Sequence, residues 1–352
     1  MDLGRLVEHI RTQATACREL GSPFYGVLLN HVADDVASGG PAADVLAGYA
    51  NEPGPAAVAL RFAGAAHRLA LAGEAPGLAA HFASTGGDGD PDGAWLALRT
   101  LLSERPHAVG AGLELAPQTN ETGRSAALFG ALLHVVGPAT LPVRLWELGA
   151  SGGLNLLADR FQYVADDGGS WGPSSPVVLG PAWHTVPDGA PPHVDVVERV
   201  AGDVAPVDPT TRDGELRLLS FVWPDQTERL ARLRGAIRLA HEVPVRRVEA
   251  GASAFLDGLE LADGCLTVVW HSVMWQYLPR EEQDRVTVRI AALGTQATAE
   301  RPLAHIGFEP RRLSPGTPHR FIVSAQTWPG GEERLLGEAP PHGMPVRWGT
   351  PR

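Results

Sequence analysis

The sequence has no lysine; its 29 basic residues are all arginine. A lysine Schiff base, a lysine nucleophile and a Walker-type phosphate lysine each need a primary amine, so those side-chain chemistries are excluded. Cysteine is nearly absent as well. Cys17 and Cys265 are too few and too far apart for a disulfide framework or a cysteine zinc site, and they read as small buried apolar groups. No metal site is expected. No run approaches the ~20 apolar residues that span a bilayer, and the N-terminus lacks the apolar stretch of a signal peptide. The expectation is a soluble cytoplasmic protein with no membrane partner. Positive charge is in the minority, with 40 acidic residues against 29 arginines and a formal net charge of −11. Tracking a phosphate backbone needs the opposite balance, so nucleic acid is not an expected partner.

What is present is enough chain for roughly two compact units: 352 residues, which can bury a substantial core unaided. Up to residue 140 the pattern is helical and rich in alanine and leucine. Breakers stand where helices should stop, at Gly39-Gly40-Pro41, Pro53-Gly54-Pro55 and Gly86 to Pro91. From residue 141 short apolar strands alternate with helical stretches, as a parallel α/β sheet requires. This divides the chain into a helical region at 1–140 and an α/β domain at 141–352, with the boundary near Pro138 to Pro142.

Strands are expected at Val143 to Leu148, Val194 to Val200, Val245 to Glu249, Leu266 to Trp270, Leu303 to Phe308 and Arg320 to Thr327. Trp328-Pro329-Gly330-Gly331 then turns into Glu332 to Leu336, so the sheet should end in an antiparallel hairpin. A Gly-, Pro- and Ser-rich stretch at 162–193, carrying Trp171 and Trp183, reads as an insertion or lid. Residues 225–242 read as an amphipathic helix that buries Leu230, Leu233 and Ile237, with Asp225 and Glu228 as a capping box and its arginines in water.

The most informative segment is Leu145-Trp146-Glu147-Leu148-Gly149-Ala150-Ser151-Gly152-Gly153-Leu154-Asn155. It ends an apolar strand and opens a helix, where a ligand can lie against backbone amides once side chains are removed. Glu147 at the end of that strand is a carboxylate that burial makes costly without a partner. A dinucleotide fingerprint would place glycine at the first, third and sixth positions of the loop, but those positions hold Gly149, Ser151 and Leu154. NAD is therefore disfavoured, and tight packing is the alternative use of the glycines.

This segment resembles the first motif of class I S-adenosylmethionine-dependent methyltransferases, acid-x-Gly-x-Gly-x-Gly, with Ser151 in the place of the middle glycine. The resemblance implies that Glu147 approaches the methionyl amino group and that Gly149, Ser151, Gly152, Gly153 and Asn155 support the cofactor. Val200-Ala201-Gly202-Asp203 resembles the second motif and makes Asp203 the acceptor for the ribose hydroxyls. It follows the glycine loop by about 50 residues rather than ~20, a gap that the insertion accounts for. Asp225 is the competing ribose acid.

Leu266 to Glu282 looks like the fourth strand and the loop that brackets the transferred methyl group, so His271 and Tyr277 are implied to orient or deprotonate an acceptor. Structural alternatives are that His271 caps the strand and Tyr277 packs in the core. Tyr25, after Ser22-Pro23-Phe24, is a further candidate beside the cofactor.

Upstream, Pro117 to Arg124 is a polar cluster before an apolar helix. With the glycine turn it makes nearly the whole chain similar to a bacterial family of unknown function, common in actinobacteria, in which a helical region precedes a methyltransferase-like sheet. Asn120, Glu121 and Arg124 are implied to meet a small-molecule substrate from the helical side, Arg124 with its planar fork. A helix cap with a surface ion pair is the alternative. The fold expected is therefore an α/β, Rossmann-like sheet behind an all-helical region. The function expected is S-adenosylmethionine-dependent methyl transfer to a small molecule. Two alternatives stay open: cyclisation of the cofactor with release of methylthioadenosine, and ligand binding without catalysis. The oligomeric state is left open.

Overall fold

Apolar residues recurring every third or fourth position build the N-terminal helices, and α1 (Leu3–Glu19) shows why: Leu6, Ile10, Ala14 and Cys17 share one face and are all buried. The computed structural model describes residues 3–118, 120–136 and 141–351. α1 is followed by α2 (Pro23–Ala37), α3 (Pro41–Leu46), α4 (Val58–Leu71), α5 (Pro76–Ala79), α6 (Pro91–Glu104) and α7 (Pro106–Gly112). All but α1 and α4 begin on proline, whose fixed φ suits a first turn and whose missing N–H is not needed there.

Two compact units form, one from Met1–Thr119 with Arg212–Leu230 and one from Asn120–Thr211 with Ala231–Arg352. α8 (Ser125–Val136) lies in the second unit and α9 (Arg212–Ser220) in the first, and the division falls inside α10 (Thr227–Ala240). The sequence boundary near Pro138 to Pro142 lies partly outside the described residues. α8 is apolar on every side because residues 125–133 are all buried against the sheet's unit.

In the helical unit, Asp225 accepts from Ser22 Oγ at 2.6 Å and from the Phe24 N–H at 3.1 Å. Both carboxylate oxygens thus serve the start of α2, not the helix that Asp225 precedes in the chain. Tyr25 is buried in the same core, its hydroxyl donating to the Ala63 carbonyl at 3.3 Å.

Among the described residues the second unit is built on the strands β1 (Val143–Leu148), β2 (Gln162–Ala165), β3 (Ser170–Trp171), β4 (Val178–Trp183), β5 (Val196–Asp203), β6 (Arg246–Glu249), β7 (Leu266–Ser272), β8 (Leu303–Arg311), β9 (Arg320–Trp328), β10 (Glu333–Ala339) and β11 (Arg347–Trp348). Eight form one sheet in the order β11-β10-β9-β8-β7-β1-β5-β6. β6, β5, β1, β7 and β8 are parallel, and β9, β10 and β11 close the sheet antiparallel. This is a mixed, mostly parallel, Rossmann-like sheet in which chain order reverses at β1: β5 lies on one side and β7 on the other. Such a switch point leaves a crevice at the carboxyl end of the strands.

α11 (Ala252–Asp257) and α12 (Arg280–Gly294) cover one face of the sheet, burying Phe255, Val286 and Ile290 with Trp146, Val269 and Leu303. The stretch between β1 and β5 holds strands that lie outside the large sheet. Within it β3, β2 and β4 form a small sheet. Tyr163 stacks on Trp183 at 4.8 Å and on Phe129 of α8 at 5.5 Å, and the Trp183 indole donates to the Ala126 carbonyl. Among the described residues no helix is long and apolar enough to cross a membrane, and no cluster of three or more His, Cys, Asp or Glu side chains could hold a metal ion.

Candidate functional site

The turn after β1 departs from ordinary backbone geometry. Gly149, Ser151 and Gly153 have φ of +63°, +53° and +72°, in the left-handed region that side chains other than those of glycine, asparagine and aspartate seldom adopt. A Cβ on Gly153 would also meet Ala201 Cβ at 3.0 Å. Asp203, at the end of β5, braces the turn. Its Oδ2 accepts from the Ser151 N–H at 2.8 Å and its Oδ1 from the Ala205 N–H at 2.9 Å. Gly152 is buried within the same turn.

Glu147 sits at the carboxyl end of the central strand and is 2% exposed. Its Oε1 accepts from Asn155 Nδ2 at 3.3 Å, and Asn155 Oδ1 accepts in turn from Ser125 Oγ at 2.8 Å. Glu147 Oε2 and the indole nitrogen of Trp270, its register neighbour on β7, are both buried and make no hydrogen bond of good geometry among the described residues, although the indole is close enough to favour the ionised carboxylate. Burial pushes the Glu147 carboxyl up to about 8; the Asn155 hydrogen bond pulls against this, the Asp203 charge adds to it, and the Trp270 indole and Arg124 pull it back down.

The polar cluster expected upstream does come to this turn, but as part of the sheet's own unit rather than from the helical region. Asn120 Oδ1 accepts from the Leu154 N–H at 3.0 Å, capping the 3-10 helix Leu154–Arg160. Glu121, 4% exposed, accepts from the Gly123 N–H at 3.1 Å and lies 3.4 Å from His342 Nδ1. Arg124 donates to the carbonyls of Ser272 and Pro341 at 3.4 and 3.3 Å, so its fork ties the loop after β7 to the C-terminal segment.

His271 and Tyr277 part company. Tyr277 is 74% exposed in the turn Trp275–Tyr277 and packs in no core. His271 is buried, and its ring does not cap the strand. Nδ1 lies 2.8 Å from Glu309 Oε1 and Nε2 lies 3.0 Å from His305 Nε2. Glu309 Oε1 also accepts the N–H groups of Met274 and Trp275, at 3.1 and 3.3 Å. His305 and Glu309 carry no sequence motif. The signal that would find them is a histidine and a glutamate at an even spacing on a strand that is otherwise apolar up to Arg311, which puts both on one face. Tyr25 and Asp225 belong to the helical unit and its packing.

Residues 7–348 match the family described as "Uncharacterized protein conserved in bacteria (DUF2332)", and the chain belongs to that family. No curated protein matches the chain.

Proposed function

We propose that this member of the family binds S-adenosylmethionine at the turn after β1 and is an enzyme that uses it, most simply by methyl transfer to a small-molecule acceptor. The observation that carries the reading is Glu147: a buried carboxylate at the switch point of the sheet, with one oxygen that no hydrogen bond of good geometry satisfies among the described residues, beside a left-handed turn. An alkylammonium group, with three donors and a positive charge, suits such an acceptor. The parallel strand order, third-second-first-fourth-fifth in chain sequence, is that of doubly wound nucleotide-binding sheets and supports a methyltransferase-like fold.

The residues present fit the cofactor. Glu147 would hold the methionyl ammonium, the backbone of residues 149–153 the methionyl chain, and Asp203 the ribose hydroxyls. Each Asp203 oxygen already accepts one backbone N–H and keeps a second lone pair. When bound, the cofactor supplies an electrophilic methyl group on a sulfonium centre. The chain's contribution is positioning and charge: Glu147 and Asp203 favour a cationic ligand, and the burial of Glu147 keeps water from competing for it.

Calorimetry with S-adenosylmethionine and S-adenosylhomocysteine tests the first step. Saturable binding that is weakened by Glu147→Gln supports the reading, and no binding by the native protein ends it. Mass spectrometry of the nucleoside by-product then separates methyl transfer, which leaves S-adenosylhomocysteine, from cyclisation, which leaves methylthioadenosine.

A further inference from the structure

Behind β7, on the face covered by α12, a cavity of about 590 Å³ opens onto His271, His305 and Glu309. Its volume is in the range that encloses a drug-sized molecule. Trp275, Ile290, Ala291 and Trp328 give it apolar walls, and Arg311 and Glu333 stand on its lining as an ion pair with N···O of 2.7 Å. Among the described residues, α12, the turn at Trp275 and β9 contribute no titratable group to the lining. We propose that this cavity is a proton-transfer site, in which Glu309, His271 and His305 form a relay that deprotonates a planar aromatic ligand bearing a weakly acidic O–H or ring N–H.

Hydrogen-bond logic fixes the direction of the relay. Glu309 Oε1 accepts two backbone N–H groups, which makes it an acceptor for His271 Nδ1–H as well. A neutral His271 then has its lone pair on Nε2, facing His305 Nε2, which must be the donor. Burial, reinforced by His271 and Arg311, holds His305 well below the ordinary histidine range, so it is neutral with its Nδ1 as an acceptor. His305 Nδ1 has no hydrogen-bond partner among the described residues. Gly307, register neighbour of His271, leaves room for the ring: a Cβ there would stand 3.3 Å from His271 Cε1.

The step balances without a co-reactant. His305 Nδ1 takes the ligand's proton while its Nε2 proton passes to His271 Nε2. The ligand keeps the electron pair of the broken bond, and His271 becomes an imidazolium against Glu309. His305 is the group that meets the ligand, and Glu309 is a positioning residue that acts through His271. The ligand class follows from the walls. Two indoles and an isoleucine favour a flat apolar body. Arg311, the one cation on the lining among the described residues, is already held by Glu333 and Ser324, which disfavours a free carboxylate. The inference does not rest on the cofactor reading and can stand if that reading fails.

The test uses the full chain without any cofactor and 4-nitrophenol as the probe, because its phenolate is coloured and its phenol is not. The expected result is saturable binding with the bound probe half-ionised at least about one pH unit below the free probe, since the phenolate accepts from His305 Nδ1–H and the imidazolium of His271 lies one ring away. His305→Gln should still bind but lose that shift, and Glu309→Gln should shrink it by moving the pH profile upward. No saturable binding by the native protein, or the same shift in His305→Gln, overturns the proposal. Should His305→Gln fail to fold, the native protein still decides: the Cε1 proton resonances of His271 and His305 must move when the probe is added, and unmoved resonances overturn the proposal.

Discussion

Asp203 and Ser151 are joined by a hydrogen bond of 2.8 Å between positions 52 residues apart, so the end of β5 holds the left-handed bend that follows β1. The link makes stability and binding at this turn inseparable. Asp203→Ala removes an acceptor shared by the Ser151 and Ala205 N–H groups and should cost about 1 kcal/mol of unfolding free energy. Urea titration measures that cost, and S-adenosylmethionine affinity should fall in the same variant. Loss of affinity with unchanged stability would mean that Asp203 touches ligand without bracing the turn.

Glu147 gives a pH dependence of definite sign. Its carboxyl is held at about 8 in the folded chain against an ordinary 4.5, so between those values the folded state binds the extra proton. Stability should fall as pH rises through that window, by up to about 1.4 kcal/mol per pH unit, and Glu147→Gln should flatten the profile. Thermal melts from pH 5 to pH 8 read this directly.

The same carboxyl links ligand binding to protons. A methionyl ammonium favours the ionised form, so binding below pH 8 should release a proton. Affinity should then rise by up to about tenfold per pH unit between pH 6 and 7.5. Calorimetry in buffers of different ionisation enthalpy counts the proton, and the count should vanish in Glu147→Gln.

Arg124→Lys keeps the charge but not the fork. Because the guanidinium donates to carbonyls in two separate segments, Ser272 and Pro341, the substitution should lower stability by about 1 kcal/mol or more. An unchanged melting temperature would show that these two contacts contribute little to stability.

Val273, in the loop after β7, has φ of +50°, a conformation that a β-branched side chain adopts only under strain. Val273→Gly should therefore raise unfolding free energy by about 1 kcal/mol, against the usual cost of glycine. A lower melting temperature would show that the valine side chain contributes more by packing than its backbone loses.

The parallel strands were readable because each is a short apolar run between breakers. Val143 to Leu148 begins and ends as expected, and the others lie within a few residues of their expected ends. The glycine turn and the acid before it were readable for the same local reason. The polar cluster at Asn120 to Arg124 stood out in sequence, but its allegiance did not: α8 after it is apolar on every side, which marks a buried helix without saying in which core. Asp225 looked like a cap for its own helix and serves α2 instead, a pairing of residues about 200 positions apart that periodicity cannot signal. His305 and Glu309 were missed because a relay is a relation across strands: only the β7–β8 register brings His271 beside them.

The two ends of the large sheet differ from its centre in a way that governs association. β6, the outer parallel strand, is the four residues Arg246-Arg247-Val248-Glu249, and β11 at the opposite end is only two residues long. A strand that is short or charged is a poor template for further pairing. Both open edges are therefore self-terminating. At these two outer strands a second copy of the chain would find little ladder to continue.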